Sequence, residues 1–267
     1  HAGIIRQSCD LYRESYTPKR SGRGAAWKRT CFGSRGSLVQ IQSPRPDSGK
    51  GVTMEKLVAL GLSAGRDLGA DFGEVRVERR IDENIRTKNL EVEVLSRRET
   101  AGIGIRVLYR GAWGFAATSD LSPEGVRRAA ENAVAIAKAT STLLREPVKL
   151  APEPVHRGTY VTPVQKDPLS VPIQEKLSLL FAAAERILRV SGVAMAKGSI
   201  SAWRIEKWFG NTEGTEVHQV ITSCGAGIEA YAAKPGEIQK RSFPNSFGGD
   251  FANAGYEFIE SLGLVEN

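Results

Sequence analysis

The 267-residue sequence is poor in the side chains that do nucleophilic and metal chemistry: three histidines, three cysteines and two methionines. The cysteines (Cys9, Cys31 and Cys224) have no C-x-x-C spacing. That excludes a zinc knuckle and a disulfide framework, and fits a reducing compartment. No run approaches about 18 apolar residues, so no membrane-spanning helix is expected. The first residues lack the charged start and apolar stretch of a secretory signal, and the expected location is cytoplasmic. A hydrophobic fraction of 41% with a charged fraction of 25% is that of a globular protein.

Surplus charge is missing from most of the chain as well. A net charge of +7 and a pI near 9.4 would ordinarily point to nucleic acid. Residues 1–53, however, hold 10 Lys/Arg against three acids, which is the whole excess, while the rest of the chain holds 27 of each sign. The leading segment shows no sustained period of 2 or 3.6, and Pro18, Pro44 and Pro46 interrupt it. It opens on His1, and Met54 stands directly before the first helical pattern. The string Ser34-Arg35-Gly36-Ser37-Leu38-Val39-Gln40-Ile41-Gln42-Ser43-Pro44 reads like the conceptual translation of a transfer-RNA gene. Residues 1–53 are therefore expected to be a non-native or disordered leader. The rival reading is a basic arm that orders on nucleic acid.

From Met54, Leu57, Val58, Leu60, Ala64 and Leu68 recur at helical spacing. Strict alternation follows. Val75, Val77 and Ile81 face one way and Glu74, Arg76, Glu78 and Arg80 the other, as in a half-buried antiparallel strand. Further strands are expected through Ile85–Val94, Ile103–Val107 and Trp113–Ala117, the last two joined at Arg110-Gly111. Ser122-Pro123-Glu124 opens a second helix: Ser122 caps it, and Pro123 stands where its missing N–H costs nothing. Residues 54–144 thus form a first α+β domain. Six prolines between Arg145 and Pro172 imply an extended strap over residues 145–172. Residues 173–267 begin a second α+β domain. It has a helix through Ile173, Leu180 and Ile187, then short strands around 193–195, 202–209, 216–224 and 227–233. A turn-rich loop over 234–255 leads to the opening of a helix at Tyr256. Gly210-Asn211-Thr212-Glu213-Gly214 fits a hairpin connection.

No catalytic, cofactor-binding or metal-binding residue emerges. Gly61-Leu62-Ser63-Ala64-Gly65 matches G-x-S-x-G, but Ser63 lies inside a helical pattern with no strand before it. Gly102-Ile103-Gly104 lacks the third glycine and the following helix of a dinucleotide site, and reads as close backbone approach. His156 and His218 have no second ligand at helical spacing. Cys224 sits in an apolar strand and is expected to be buried and inert. Glu74, Glu78, Glu91 and Glu93 read as a solvated sheet face. Trp203, Trp208 and Phe209 are expected to pack a core rather than stack bases. An open antiparallel edge could pair with extended peptide almost regardless of its sequence.

Several ordered strings carry a family resemblance. Ala70-Asp71-Phe72-Gly73-Glu74-Val75-Arg76, Gly102-Ile103-Gly104-Ile105-Arg106-Val107 and Gly111-Ala112-Trp113-Gly114-Phe115-Ala116-Ala117-Thr118 resemble the first domain of the TldD/PmbA proteins, modulators of DNA gyrase. Asn211-Thr212-Glu213-Gly214-Thr215 and Gly255-Tyr256-Glu257 resemble the second. The Trp-Gly-Phe-Ala stretch is more similar to TldD than to PmbA. The resemblance implies a metallopeptidase that degrades unfolded peptides inside a dimer chamber, often with a PmbA (TldE) partner. It further implies a zinc motif, H-E-x-x-x-H, in a C-terminal domain beyond Asn267. On that basis the chain is expected to be the N-terminal part of a TldD-like zinc peptidase, inactive alone and binding no cofactor itself. The alternatives are a non-catalytic PmbA/TldE-type partner or scaffold and, last, a nucleic-acid binder acting through residues 1–53.

Overall fold

The computed structural model describes residues 38–42, 52–245 and 248–266. Thirteen elements follow in chain order. Strand β1 (Leu38–Gln42) and helix α1 (Met54–Asp67) precede strands β2 (Phe72–Lys88), β3 (Glu91–Tyr109) and β4 (Ala112–Thr118). Helix α2 (Pro123–Ser141), strand β5 (Arg157–Val161) and helix α3 (Ile173–Leu188) come next. Strands β6 (Val193–Asn211), β7 (Glu216–Lys234), β8 (Glu237–Phe243) and β9 (Asp250–Ala252) and helix α4 (Tyr256–Ser261) complete the fold.

The strands make one sheet in the order β1-β3-β2-β6-β7-β5, with β4 also on β3, and β8 and β9 also on β7. Pairing is antiparallel except for β1 on β3 and β5 on β7. Because side chains alternate across a strand, the odd-numbered residues of β2 share one face. All four helices of the described residues pack there. Val75 and Val77 join α1, α2, Ile103, Ile105 and Trp208 in one core. Ile85 joins Leu180 of α3, Ile200, Cys224 and Tyr256 of α4 in a second. Two α+β units therefore share a continuous sheet, and each buries its own end of a common face.

Local chemistry sets the element ends. The Ser122 side chain accepts from the Gly125 N–H (3.1 Å) with Pro123 in the first turn, the start expected for α2. At the β3–β4 turn Arg110 and Gly111 both take positive φ (47° and 77°), as a two-residue hairpin turn requires. The 212–215 connection is held by the Asn211 side chain, which accepts from the Glu213 and Thr215 N–H groups.

Several expectations need correcting. The breaks expected near Ile81–Ile85 and Val94–Ile103 do not exist, since β2 and β3 are single strands of 17 and 19 residues. Hydrophobicity falls mid-strand because that stretch lies between the two cores, while the backbone ladder runs on. The fragments expected over 193–209 and 216–233 likewise merge into β6 and β7, of 19 residues each. The strap contains β5, and the loop expected over 234–255 contains β8 and β9 on β7. Of the expected leader, Leu38–Gln42 is a strand beside residues 94–98 of β3, so the lack of regular structure does not extend to those five residues. Its other residues up to 51 lie outside those described. No described helix is long and apolar enough to cross a membrane.

Candidate functional site

The even-numbered residues of β2 turn to the face that none of the described helices covers. Across β3, β2, β6 and β7 the register brings Arg106, Glu74 and Asn211 into one row, and Gly104, Arg76, Phe209 and Val217 into the next. Further rows carry Lys207 beside Glu78, Ile205 beside Arg80 and Trp203 beside Asp82. Charges here are mostly paired: Glu74 with Arg106 (2.9 Å), Asp82 with Arg80 (2.7 Å), and Glu78 with Lys207 at 3.9 Å. The Asp82 carboxylate, accepting from Arg80, raises the Arg80 pKa further. Arg106 stacks over Trp113 (4.4 Å) and Arg76 over Phe209 (5.8 Å).

A trough of about 880 Å³ runs over this surface between Glu74–Arg80 and the β3–β4 hairpin. Gly104 deepens it, because a Cβ there would come within 3.2 Å of the Phe115 ring. Phe115 itself is 57% exposed. Open, two-signed and aromatic, the trough suits an extended chain or another protein face more than a small molecule.

On the helix face a polar seam separates the two cores. Arg79 pairs with Glu99 (2.6 Å) and Arg204 with Asp167 (2.7 Å). Burial pushes the Asp167 carboxyl up, but hydrogen bonds from Arg204, the Leu169 N–H and Ser170 outweigh it and leave the pKa below its ordinary value. At the seam's outer end His218 stacks on Trp208 (5.0 Å, 13°) and meets Glu206 at 3.2 Å, while Trp208 donates to Glu55 (3.0 Å).

None of the residues weighed from sequence gathers into a reaction centre among the described residues. Ser63 is exposed on α1 and donates to the Leu60 carbonyl (3.0 Å). Gly102 and Gly104 lie in β3 with their Cβ positions crowded by β4, the close approach expected of them. His156 is exposed and its backbone bonds Thr215 and Glu216. Cys224 is fully buried, and burial together with the Glu257 carboxylate pushes its thiol up to about 12. No group of three His, Cys, Asp or Glu that could hold a metal occurs among the described residues, so zinc does not fit them. Glu91 and Glu93 are exposed, whereas Glu74 and Glu78 are half-buried on the open face. Of Trp203, Trp208 and Phe209, only Trp208 joins a core. Trp203 and Phe209 sit on the open face, Trp203 against Phe251 at 5.8 Å, because their strand parity is opposite to that of Trp208. The sequence reading missed Glu83 and Lys176, which bury together beneath α3. Its available signal was parity, since Glu83 is a charge in step with Val75, Val77, Ile81 and Ile85.

Comparison with known proteins gives the fold a context. The chain is 22% identical over 188 residues to a metalloprotease of Methanocaldococcus jannaschii, covering 70% of this chain and 39% of that protein. In structure it is similar to proteins described as modulators of DNA gyrase from Bacteroides thetaiotaomicron and Thermotoga maritima. The first gives a TM-score of 0.63 at 14% identity, covering 76% of this chain and 46% of that one. The second gives 0.61 at 17%, covering 80% and 46%. TldE of Thermococcus kodakarensis matches at 0.52 and 21% identity, covering 80% and 47%. The chain thus spans less than half the length of each of these relatives. Residues 73–137 match PmbA/TldA metallopeptidase domain 1 and residues 166–264 match the PmbA/TldA metallopeptidase central domain. With two successive domains of one family matched over more than half of its length, the chain belongs to the PmbA/TldD family.

Proposed function

We propose that the chain serves as a non-catalytic subunit or scaffold of PmbA/TldE type, presenting the helix-free face of its sheet to extended peptide and to a partner subunit in a reducing, cytoplasmic compartment. One observation carries the reading. All four helices among the described residues pack on one face, and the opposite face is a broad surface of paired charges with half-buried Trp203 and Phe209 and exposed Phe115. The likeness to TldE supports it. The test mixes the full chain with a TldD-type catalytic subunit and measures complex mass, bound zinc and hydrolysis of an unfolded protein. The chain alone is expected to hold no stoichiometric zinc and to hydrolyse nothing. The double change Arg76→Glu and Arg80→Glu is expected to weaken the complex or its capture of peptide without unfolding the chain. Stoichiometric zinc and hydrolysis by the chain alone would sink the reading.

A second reading makes the chain one part of a zinc metallopeptidase whose metal ligands lie outside these residues. It is favoured by the metallopeptidase domains matched and by the Methanocaldococcus metalloprotease. Sequencing the gene past the codon for Asn267 tests it. An H-E-x-x-x-H motif in frame supports it, and a stop codon with no such motif rejects it.

A further inference from the structure

Helix α1 packs on β2 and β6, and strands β7 and β5 extend the sheet beyond it. A cleft of about 600 Å³ opens there. Strand register fixes its floor. Val77, Trp208, His218 and Thr159 are partners across β2, β6, β7 and β5, so the last three continue the face on which Val77 is buried. One row along, Glu216 of β7 is the partner of Arg157 of β5. Lys56 and Leu62 of α1 form the helix wall.

Two kinds of group in this cleft stand ready for a ligand. The first is a fixed ring. His218 lies flat on Trp208 and its Nε2 meets Glu206, while Trp208 itself donates to Glu55. That network anchors one side of the imidazole and leaves the rest of it lining the cleft. The second is a set of charges without partners. Arg157 and Glu216 are neighbours but do not pair, and the Arg157 Nε donates instead to the Gly214 carbonyl (3.1 Å). Among the described residues Lys56, Arg157 and Glu216 have no ion-pair partner, and all three are exposed.

We propose that the cleft binds a free aromatic α-amino acid. Arg157 and Lys56 take its carboxylate, Glu216 takes its ammonium, and its ring lies on His218. Spacing supports the match. Neighbouring strands stand about 4.8 Å apart, so Arg157 and Glu216 present opposite charges side by side, as an amino acid presents them on one Cα. His218 stands two residues along β7 from Glu216, about 6.6 Å away, which is the reach of an aromatic side chain from its own Cα. An aromatic acid without the ammonium would set its carboxylate beside Glu216 with nothing to offset the repulsion. The cleft volume is in the range of small-molecule sites. This goes beyond the function proposed above, because it uses neither the helix-free face nor a partner subunit.

The test titrates the full chain with L-phenylalanine by calorimetry. One site is expected, with a Kd of about 1 mM or tighter, the strength within reach of a ligand of this size. Three analogues each remove one element of recognition. 3-Phenylpropionate lacks the ammonium, phenethylamine lacks the carboxylate and L-leucine lacks the ring. Each should bind at least about fivefold more weakly. Two variants then assign the contacts. In Glu216→Gln, phenylalanine and 3-phenylpropionate should bind alike. In the double change Lys56→Met and Arg157→Met, phenylalanine and phenethylamine should bind alike. All three positions are exposed, so thermal midpoints should stay where they are in the unaltered chain. No binding at about 10 mM phenylalanine, equal affinity for leucine, or discrimination kept by either variant in its folded form overturns the proposal.

Discussion

Lys176 of α3 and Glu83 of β2 form an ion pair inside the second core, where Lys176 is fully buried and Glu83 is 2% exposed. The ammonium also donates to the Pro168 carbonyl (2.6 Å), and Arg97 lies 3.7 Å from the other carboxylate oxygen. One contact thus ties a sheet strand, a helix and the segment leading into that helix. Two charges out of water gain little net stability over an apolar pair, but removing one strands the other.

Lys176→Met should therefore destabilise the chain by about 3–5 kcal/mol, the usual cost of breaking a buried pair. Adding Glu83→Gln should recover part of that loss. Urea midpoints for both single variants and the double variant provide the measurement. A loss below about 1 kcal/mol for Lys176→Met would mean the pair does not hold α3 in place.

The long helices were legible by their apolar stripes, such as the Val126/Ala129/Ala133 row of α2, and α2 also by its start signal at Ser122-Pro123. Strand parity was legible too, and with it the two-faced sheet. Strand length was not. The middle of β2 reads Glu78-Arg79-Arg80-Ile81-Asp82-Glu83, and nothing local says that it stays paired on both sides with β3 and β6. Nor could β5 be seen among the prolines, because its neighbour β7 lies some 60 residues away in sequence. Non-local pairing is also what joins Glu83 to Lys176. Their spacing in sequence carries no period, so only the misplaced parity of Glu83 could have hinted at it.

Ser122 gives a local test. Its side chain is the acceptor for the Gly125 N–H at the start of α2, so Ser122→Ala should cost about 1 kcal/mol. Ser122→Asp should keep most of the stability. Thermal unfolding of both variants distinguishes the loss of a cap from a general loss of helix, which would lower them equally.

Gly114 is where β4 touches α2. A Cβ there would run into the Ala133 carbonyl and lie 2.6 Å from the Ala137 nitrogen and 2.9 Å from its methyl. Backbone on both sides leaves no flexible atom to yield. Gly114→Ala is expected to destabilise by about 3 kcal/mol, at the upper end for overpacking. Gly158→Ala, where nothing lies within 4 Å, should stay within about 0.5 kcal/mol in the same denaturation series. Equal losses at the two sites would contradict the packing of α2 on β4.

Alkaline pH should loosen the second core. Burial, joined by the Glu257 carboxylate, pushes the Cys224 thiol from an ordinary 9.0 up to about 12. Burial, joined by the Glu175 carboxylate, pushes the Tyr256 phenol from 10.0 up to about 12. Each group holds its proton more tightly folded than unfolded. The stability this linkage contributes is complete below about pH 9 and is lost as the pH climbs towards 12. Urea midpoints should accordingly fall between about pH 8 and pH 10.5, and Cys224→Ala should flatten the decline. Alkylation read by peptide mass reports the same burial independently. At about pH 8 Cys224 in the folded chain should label at least ~100-fold more slowly than in urea. Equal rates in the two states would mean that the thiol is not enclosed by β7 and α4.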